Sequence, residues 1–118
     1  MIFLRIIPSL LLSNKKLVKG ICFKNHKTAG SPITTTMAFE NQGADEISII
    51  DIDCYNKNIE PDYNILSEIS KFSKTPITFG GGIKNIDIAK KVIRAGAEKI
   101  YLNRTALFKS EIIKDLVK

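Results

Sequence analysis

Apolar positions fall into short β-branched runs that alternate with stretches of helical period. The first run, "IIPSLLL" at 6–12, is too short for an ordinary helix and stops at Ser13-Asn14, so it predicts a strand. "LVKGICF" (17–23) predicts a short extended piece, leading into a polar loop, "KNHKTAG". Ser31-Pro32 reads as an N-cap followed by Pro at N1, and the helix it opens should run to about Gly43, a C′ glycine. "EISIIDID" (46–53) predicts the second strand of the alternation. After Pro61, Ile65, Leu66, Ile69 and Phe72 recur on one helical stripe. "PITF" (76–79) predicts the third strand, with "GGG" directly after it. A helix should start near Asn85 with Ala89, Val92, Ile93 and Gly96 facing inward. "KIYLN" (99–103) predicts the fourth strand, and Ser110 caps a last helix carrying Ile112, Ile113, Leu116 and Val117 on one face.

Strand and helix in regular alternation imply an α/β fold with a parallel sheet and right-handed crossovers, here (βα)4. A closed (β/α)8 barrel needs about 250 residues, and the 118 residues here supply about half. Four parallel strands with helices on one side leave two open edges, a pairing hazard. A second half-barrel closing the sheet, a fragment, or a small open sheet are the three solutions. The whole chain, 1–118, is expected to be a single half-barrel, the N-terminal part of a (βα)8 barrel.

Side chains two apart on a strand share a face. Arg5, Ile7, Ser9 and Leu11 therefore point one way on the first strand. Glu46, Ser48, Ile50 and Ile52 do so on the second, Thr78 and Gly80 on the third, and Lys99, Tyr101 and Asn103 on the fourth. If these sets line a barrel interior, Arg5, Glu46 and Lys99 form a charged ring at its N-terminal end. The alternative is three unrelated solvent-exposed strand ends.

Composition changes this picture little. Apolar residues make up 44% and charged residues 25% of the chain, which is ordinary for a globular domain. The net charge of +6 is spread over many lysines without an Arg-rich or aromatic-interleaved stripe, which argues against nucleic acid and suits solvated helix faces or a phosphorylated substrate. Cys22 and Cys54 form no C-x-x-C pair, and with one histidine, His26, no metal site or cofactor is expected and a reducing compartment fits. The apolar N-terminus is interrupted by Arg5 and Pro8 and lacks a cleavage signal, and no run reaches membrane-spanning length. A cytoplasmic protein with no membrane partner is expected.

Chemistry concentrates after the strands. In "TFGGGIKN", glycines between a strand and a helix let backbone N–H groups approach an anion, with the helix N-terminus adding positive potential. The spacing is neither Rossmann nor P-loop, and a tight turn between strand and helix is the competing reading. Gly81 and Gly82 are the candidates there. Asn103, Arg104 and Thr105, on the neighbouring loop, offer donors to the same phosphate. Asp51 and Asp53 end the second strand at the C-terminal face, where barrel enzymes keep their chemistry. Asp51 points away from the Glu46 set, so capping a helix or a loop competes with catalysis. Lys19 lies over the same face and could hold a phosphate or polarise a carbonyl. His26 is assigned no role.

Taken together, "RIIP", "LVKG…F", "GADE…IDID", "FGGGI" and "GAEKIYLN" resemble the cyclase subunit of imidazole glycerol phosphate synthase, over the whole chain and in order, and correspond to the first half of that barrel. The resemblance implies a (βα)8 barrel with one phosphate site per half. It also implies a glutaminase docked at the barrel bottom, whose ammonia crosses the barrel to the substrate. By position, Arg5, Glu46 and Lys99 match three of the four charged residues that gate the ammonia entrance. Thr78 matches a tunnel-lining position, and Glu98 an acidic residue facing the glutaminase. Gly82 and Asn103 match phosphate contacts, Lys19 the lysine of the mobile loop, and Asp51 an Asp of the family.

The departures are as informative. The cyclase uses two Asp residues as acid and base, one at the top of the first strand. Here that place is Leu11, and leucine cannot transfer a proton. The second Asp belongs to the other half. Arg104 stands where a small hydroxyl residue is usual, and Tyr101 is bulky for a tunnel-facing position. Parts for ammonia entrance with no cyclisation acid look more like the cyclase paralogues of surface-polysaccharide gene clusters. These are associated with glycosyl amidation, and would add an amidotransferase to the partners. The histidine-pathway cyclase is the second reading. A truncated half-barrel that self-associates or is inactive is the third.

Overall fold

The computed structural model describes residues 4–21, 25–102 and 111–117. Its elements in chain order are β1 (Ser9–Ser13), β2 (Lys16–Ile21), β3 (Asn25–Gly30), α1 (Pro32–Asn41), β4 (Ile47–Asp51), α2 (Asp53–Asn56) and α3 (Tyr63–Phe72). They continue with β5 (Ile77–Gly80), α4 (Ile86–Ala95), β6 (Lys99–Tyr101) and a short α5 (Ile112–Leu116). The six strands form one sheet in the order β3-β2-β1-β4-β5-β6. β1, β4, β5 and β6 are parallel, with helices packed on one face. This is the architecture of a partial (β/α)8 barrel.

Of the remaining two strands, β2 falls on the extended piece expected over 17–23, whereas β3 replaces an expected loop. The stretch "KNHKTAG" is not a loop from Asn25 onward: Asn25–Gly30 is a strand, antiparallel to β2. β2 in turn pairs antiparallel with the upper end of β1, Leu11 opposite Val18 and Ser13 opposite Lys16. The sheet is therefore mixed, and one of the two edges expected to be open is partly covered by the chain's own hairpin. The turn of that hairpin explains why it forms. Asn14 and Lys15 have φ of 50° and 63°, the pair of positive values that a type I′ turn requires and whose twist matches the flanking strands. β1 itself starts three residues later than the apolar run, because Pro8 has no N–H to give a ladder. The segment before it is held instead by Asp45 N–H donating to the Ile6 carbonyl and Ser48 N–H to the Pro8 carbonyl, at 3.0 and 2.9 Å.

The helix-facing side of the sheet carries the core. Leu10, Leu12, Ile47, Ile49, Ile77 and Phe79 are buried against Leu66 and Ile69 of α3 and Ile88, Ala89 and Val92 of α4. Local signals open these helices. Asp62 Oδ1 accepts from Ile65 N and Asn85 Oδ1 from Ile88 N, at 3.1 and 2.9 Å, each satisfying a first-turn donor. Ser31 precedes Pro32 as expected but makes no side-chain cap bond. Four positions expected inward are exposed: Phe72, Ile93, Ile113 and Val117. Each lies at the margin of its stripe or at a helix end, where the 3.6-residue period carries it off the buried face. Ser110 lies outside the described residues. Among the described residues no helix is long and apolar enough to cross a membrane.

Candidate functional site

The other face of the sheet is built in rows, fixed by strand register. Ser9 lies beside Ser48, Ser48 beside Thr78, and Thr78 beside Lys99. Above it lies a second row, Leu11, Ile50, Gly80 and Tyr101. Glu46, just before β4, shares the face two residues below Ser48.

At this lower end three charges meet. Arg5 Nη1 donates to Glu46 Oε1 at 3.3 Å and Lys99 Nζ to the same oxygen at 2.6 Å. They arrive from sequence separations of 41 and 53 residues. The Glu46 side chain is only 9% exposed, whereas those of Arg5 and Lys99 are 70% and 57% exposed. One nearly buried carboxylate thus holds two cations whose outer surfaces stay in water. The Lys99 hydrogen bond is the chief reason that the Glu46 carboxyl titrates below the usual glutamate range, against the opposing effect of its own burial. The cluster carries one net positive charge. Glu98, next in line, is exposed, and its backbone N–H donates to the Ile77 carbonyl at 2.8 Å.

The upper end is arranged differently. Leu11 and Ile50 occupy the inner row there and, among the described residues, no carboxylate does. Asp51 faces the helix layer, buried. Its Oδ1 accepts from Asp53 N at 3.1 Å and its Oδ2 from Asp62 N at 3.4 Å. Burial pushes its carboxyl above the usual aspartate range, with bonds from the Cys54 thiol and these amides pulling the other way. Cys54 is fully buried beside it, and burial, with the Asp51 charge, pushes its thiol up to about 12. Asp53 accepts from Ser13 Oγ and Asn14 N, both at 2.8 Å, and so clamps the β1–β2 turn to the end of β4. Lys57 bridges Asp53 and Asn14 at 3.8 and 3.3 Å. Sequence reading placed Asp53 at this face without a partner. The clamp spans 40 residues, and no local spacing announces it.

The glycine loop has a packing reason as well as a chemical one. Gly81 and Gly82 have φ of 109° and 70°, values that L side chains rarely adopt. A Cβ on Gly81 would lie 2.2 Å from the Asp51 carbonyl oxygen, and one on Gly82 would lie 2.4 Å from the Cys54 Cβ. Both glycines therefore let the β5–α4 turn lie directly against the β4–α2 turn. Lys19 lies in β2 opposite Lys27. Asn103, Arg104 and Thr105 lie outside the described residues.

A family model of histidine biosynthesis proteins matches residues 5–118, so the chain belongs to that family. It is 38% identical over 110 residues to a Pseudomonas aeruginosa protein described as "Putative imidazole glycerol phosphate synthase subunit hisF2", covering 93% of this chain and 44% of that one. It is 37% identical over 112 residues to a hisF3 counterpart, described in the same terms, from Vibrio vulnificus, covering 95% of this chain and 43% of that one. Imidazole glycerol phosphate synthase subunit HisF of Exiguobacterium sibiricum is 36% identical over 116 residues, covering 98% of this chain and 47% of its own. The chain spans a little under half the length of these relatives.

Proposed function

We propose that this chain is the first half of the barrel of a HisF-like subunit that receives ammonia from a glutaminase and conducts it toward a phosphorylated acceptor. The observation that carries the reading is the contrast between the two ends of one sheet face. Arg5 and Lys99 converge on Glu46 where ammonia would enter, while Leu11 occupies the position of a cyclisation acid. The net positive charge of the entrance disfavours ammonium and admits neutral ammonia. Glu98, exposed beside Lys99, faces the glutaminase. Phosphate is held at the β5–α4 turn with Asn103, Arg104 and Thr105. Lys19, carried by the hairpin strand β2, is the lysine assigned to the same phosphate, and Asp51 shapes the turn rather than transferring protons.

The second half of the barrel pairs with β6, whose one strand partner among the described residues is β5. Beside β6 a groove of about 910 Å³, lined by Ile93, Ile100, Leu102, Ile113 and Leu116 among others, offers apolar surface for it. Sugar amidation for surface polysaccharides, with an amidotransferase as a further cytoplasmic partner, is the reading that Leu11 favours. Imidazole glycerol phosphate synthesis is the second reading, favoured by the matches to proteins named HisF.

A barrel completed with the C-terminal half of the Exiguobacterium relative tests both. The proposal expects it to bind a glutaminase subunit and raise glutamine hydrolysis, without forming imidazole glycerol phosphate from the ribulosyl precursor and ammonia. Product formation with Leu11 in place establishes the second reading. Failure to bind or stimulate any glutaminase overturns the first.

A further inference from the structure

The chain leading into β1 is held to the sheet more by polar bonds than by packing. Leu4, Ile6 and Ile7 are all exposed, so burial does little to fix them. Pro8 has no N–H to give. At Ile6 the hold comes from one residue. The Asp45 N–H donates to the Ile6 carbonyl at 3.0 Å, and Asp45 Oδ2 accepts from the Ile6 N–H at 2.7 Å. An exposed acid thus engages both backbone groups of Ile6, and the second bond is short and charge-assisted.

This clasp departs from a regular ladder. The Ser48 N–H donates to the Pro8 carbonyl, and a parallel ladder continued two residues down would give the Ile6 carbonyl the Glu46 N–H. Asp45 makes that bond instead, and its side chain takes the Ile6 donor where a ladder would use a main-chain carbonyl. The slip sets Arg5–Ile6 alongside Asp45–Glu46, with the backbone clasp and the Arg5–Glu46 pair on neighbouring residues. The two cations on Glu46 are therefore held differently. Lys99 arrives on β6, fixed by its ladder to β5. Arg5 lies on no strand, and its side chain is mostly in water at 3.3 Å from Glu46. An exposed pair of that kind loses side-chain entropy in holding one geometry and does not fix a chain segment by itself.

We propose that Asp45 is a positioning residue: by holding the Ile6 amide, its carboxylate places the Arg5 guanidinium on Glu46, and the charged cluster is complete only while that bond is made. Among the described residues Asp45 forms no salt bridge of its own, so its part is to hold backbone and not to add a charge to the cluster. The consequence for ammonia entry rests on the function proposed above; the positioning does not.

Two variants of the 118-residue chain separate the acceptor from the charge. Asp45→Ala removes both, whereas Asp45→Asn keeps an oxygen for the Ile6 N–H. In Asp45→Ala the Ile6 amide should exchange with solvent about tenfold faster. The Glu46 carboxyl, followed by NMR, should titrate higher, because Arg5 no longer favours its ionised form while Lys99 still does. Loss of the Asp45 charge alone predicts the opposite sign, since removing a neighbouring anion makes Glu46 easier to ionise. Asp45→Asn should therefore leave the Glu46 titration where it is or lower it. Arg5→Ala should raise it, and in that background Asp45→Ala should raise it no further. Equal Glu46 titrations in Asp45→Ala and Asp45→Asn, or a rise from Asp45→Ala that persists without Arg5, overturn the proposal. Both readouts are made without a glutaminase. The expected titrations in a protein that engages no glutaminase therefore defeat the ammonia-conducting reading and not the positioning, and the reverse result defeats the positioning alone.

Discussion

The two ends of the sheet use their carboxylates in opposite ways. At the N-terminal end Glu46 gathers two side-chain cations and, among the described residues, no backbone amide. At the C-terminal end Asp51 and Asp53 accept from the backbone amides of Asp53, Asp62 and Asn14 and from Ser13. Charges paired with exposed side chains can rearrange around a passing molecule. Charges held by the backbone amides of turns cannot, and they fix loops instead. Asp51 and Asp53 thus clasp turns together at this end, and the inner row beside them carries Leu11 and Ile50.

The largest effect should come from breaking the clasped end. Gly81→Ala combines a left-handed φ with a Cβ 2.2 Å from the Asp51 carbonyl oxygen, and should cost about 3 kcal/mol or more. Gly43 has a similar φ of 91° but open space around it, so Gly43→Ala should cost only about 1 kcal/mol. Denaturant midpoints of the two variants separate clash from backbone strain.

A smaller effect follows from releasing the hairpin. Asp53→Ala removes the bonds from Ser13 and Asn14 and should cost about 1–2 kcal/mol. Hydrogen exchange should speed up at the Leu17 and Val18 amides while the β4–β5 ladder stays protected. Equal acceleration across the sheet would show that the clamp does not act locally.

The subtlest contrast is in pH. Glu46 has a lowered folded-state pKa, so the stability it supplies is present above the usual glutamate range and is lost as pH falls through that lowered value. Asp51 has a raised one, so its ionised form costs stability, and that cost is relieved as pH falls through the raised value. Over about pH 3 to 6, Glu46→Gln should therefore make the acid-side loss of stability shallower, and Asp51→Asn should make it steeper. Urea midpoints across that range check both signs.

Much of this was legible in the sequence, and the parts that were not share a cause. The parallel strands, the Asn85 cap and the Gly43 terminus follow from local patterns of apolar period and capping chemistry. Strand parity grouped Arg5, Glu46 and Lys99 on one face, and left open whether they meet or are three separate strand ends; their contacts at Glu46 decide it. The β3 strand was hidden because "NHKTAG" is polar, and nothing in its own composition announces its pairing with β2. Asp53's partners were hidden because the clamp depends on the register between β1 and β4. The bond from the Ile6 amide to Asp45 was equally invisible, since an acid just before a strand reads as solvated until its partner is known. Phe72 and Ile93 show the converse, apolar residues on a plausible stripe that the fold leaves in solvent.

One measurement decides whether the charged end serves a glutaminase with leucine at the proposed acid position. In the completed barrel mixed with a glutaminase subunit, glutamine hydrolysis and imidazole glycerol phosphate formation are followed together, with Leu11 and with Leu11→Asp. Stimulated hydrolysis in both, with imidazole glycerol phosphate formed only by Leu11→Asp, is the expected result. Cyclised product from the chain with Leu11, or no glutaminase response in either, would contradict it.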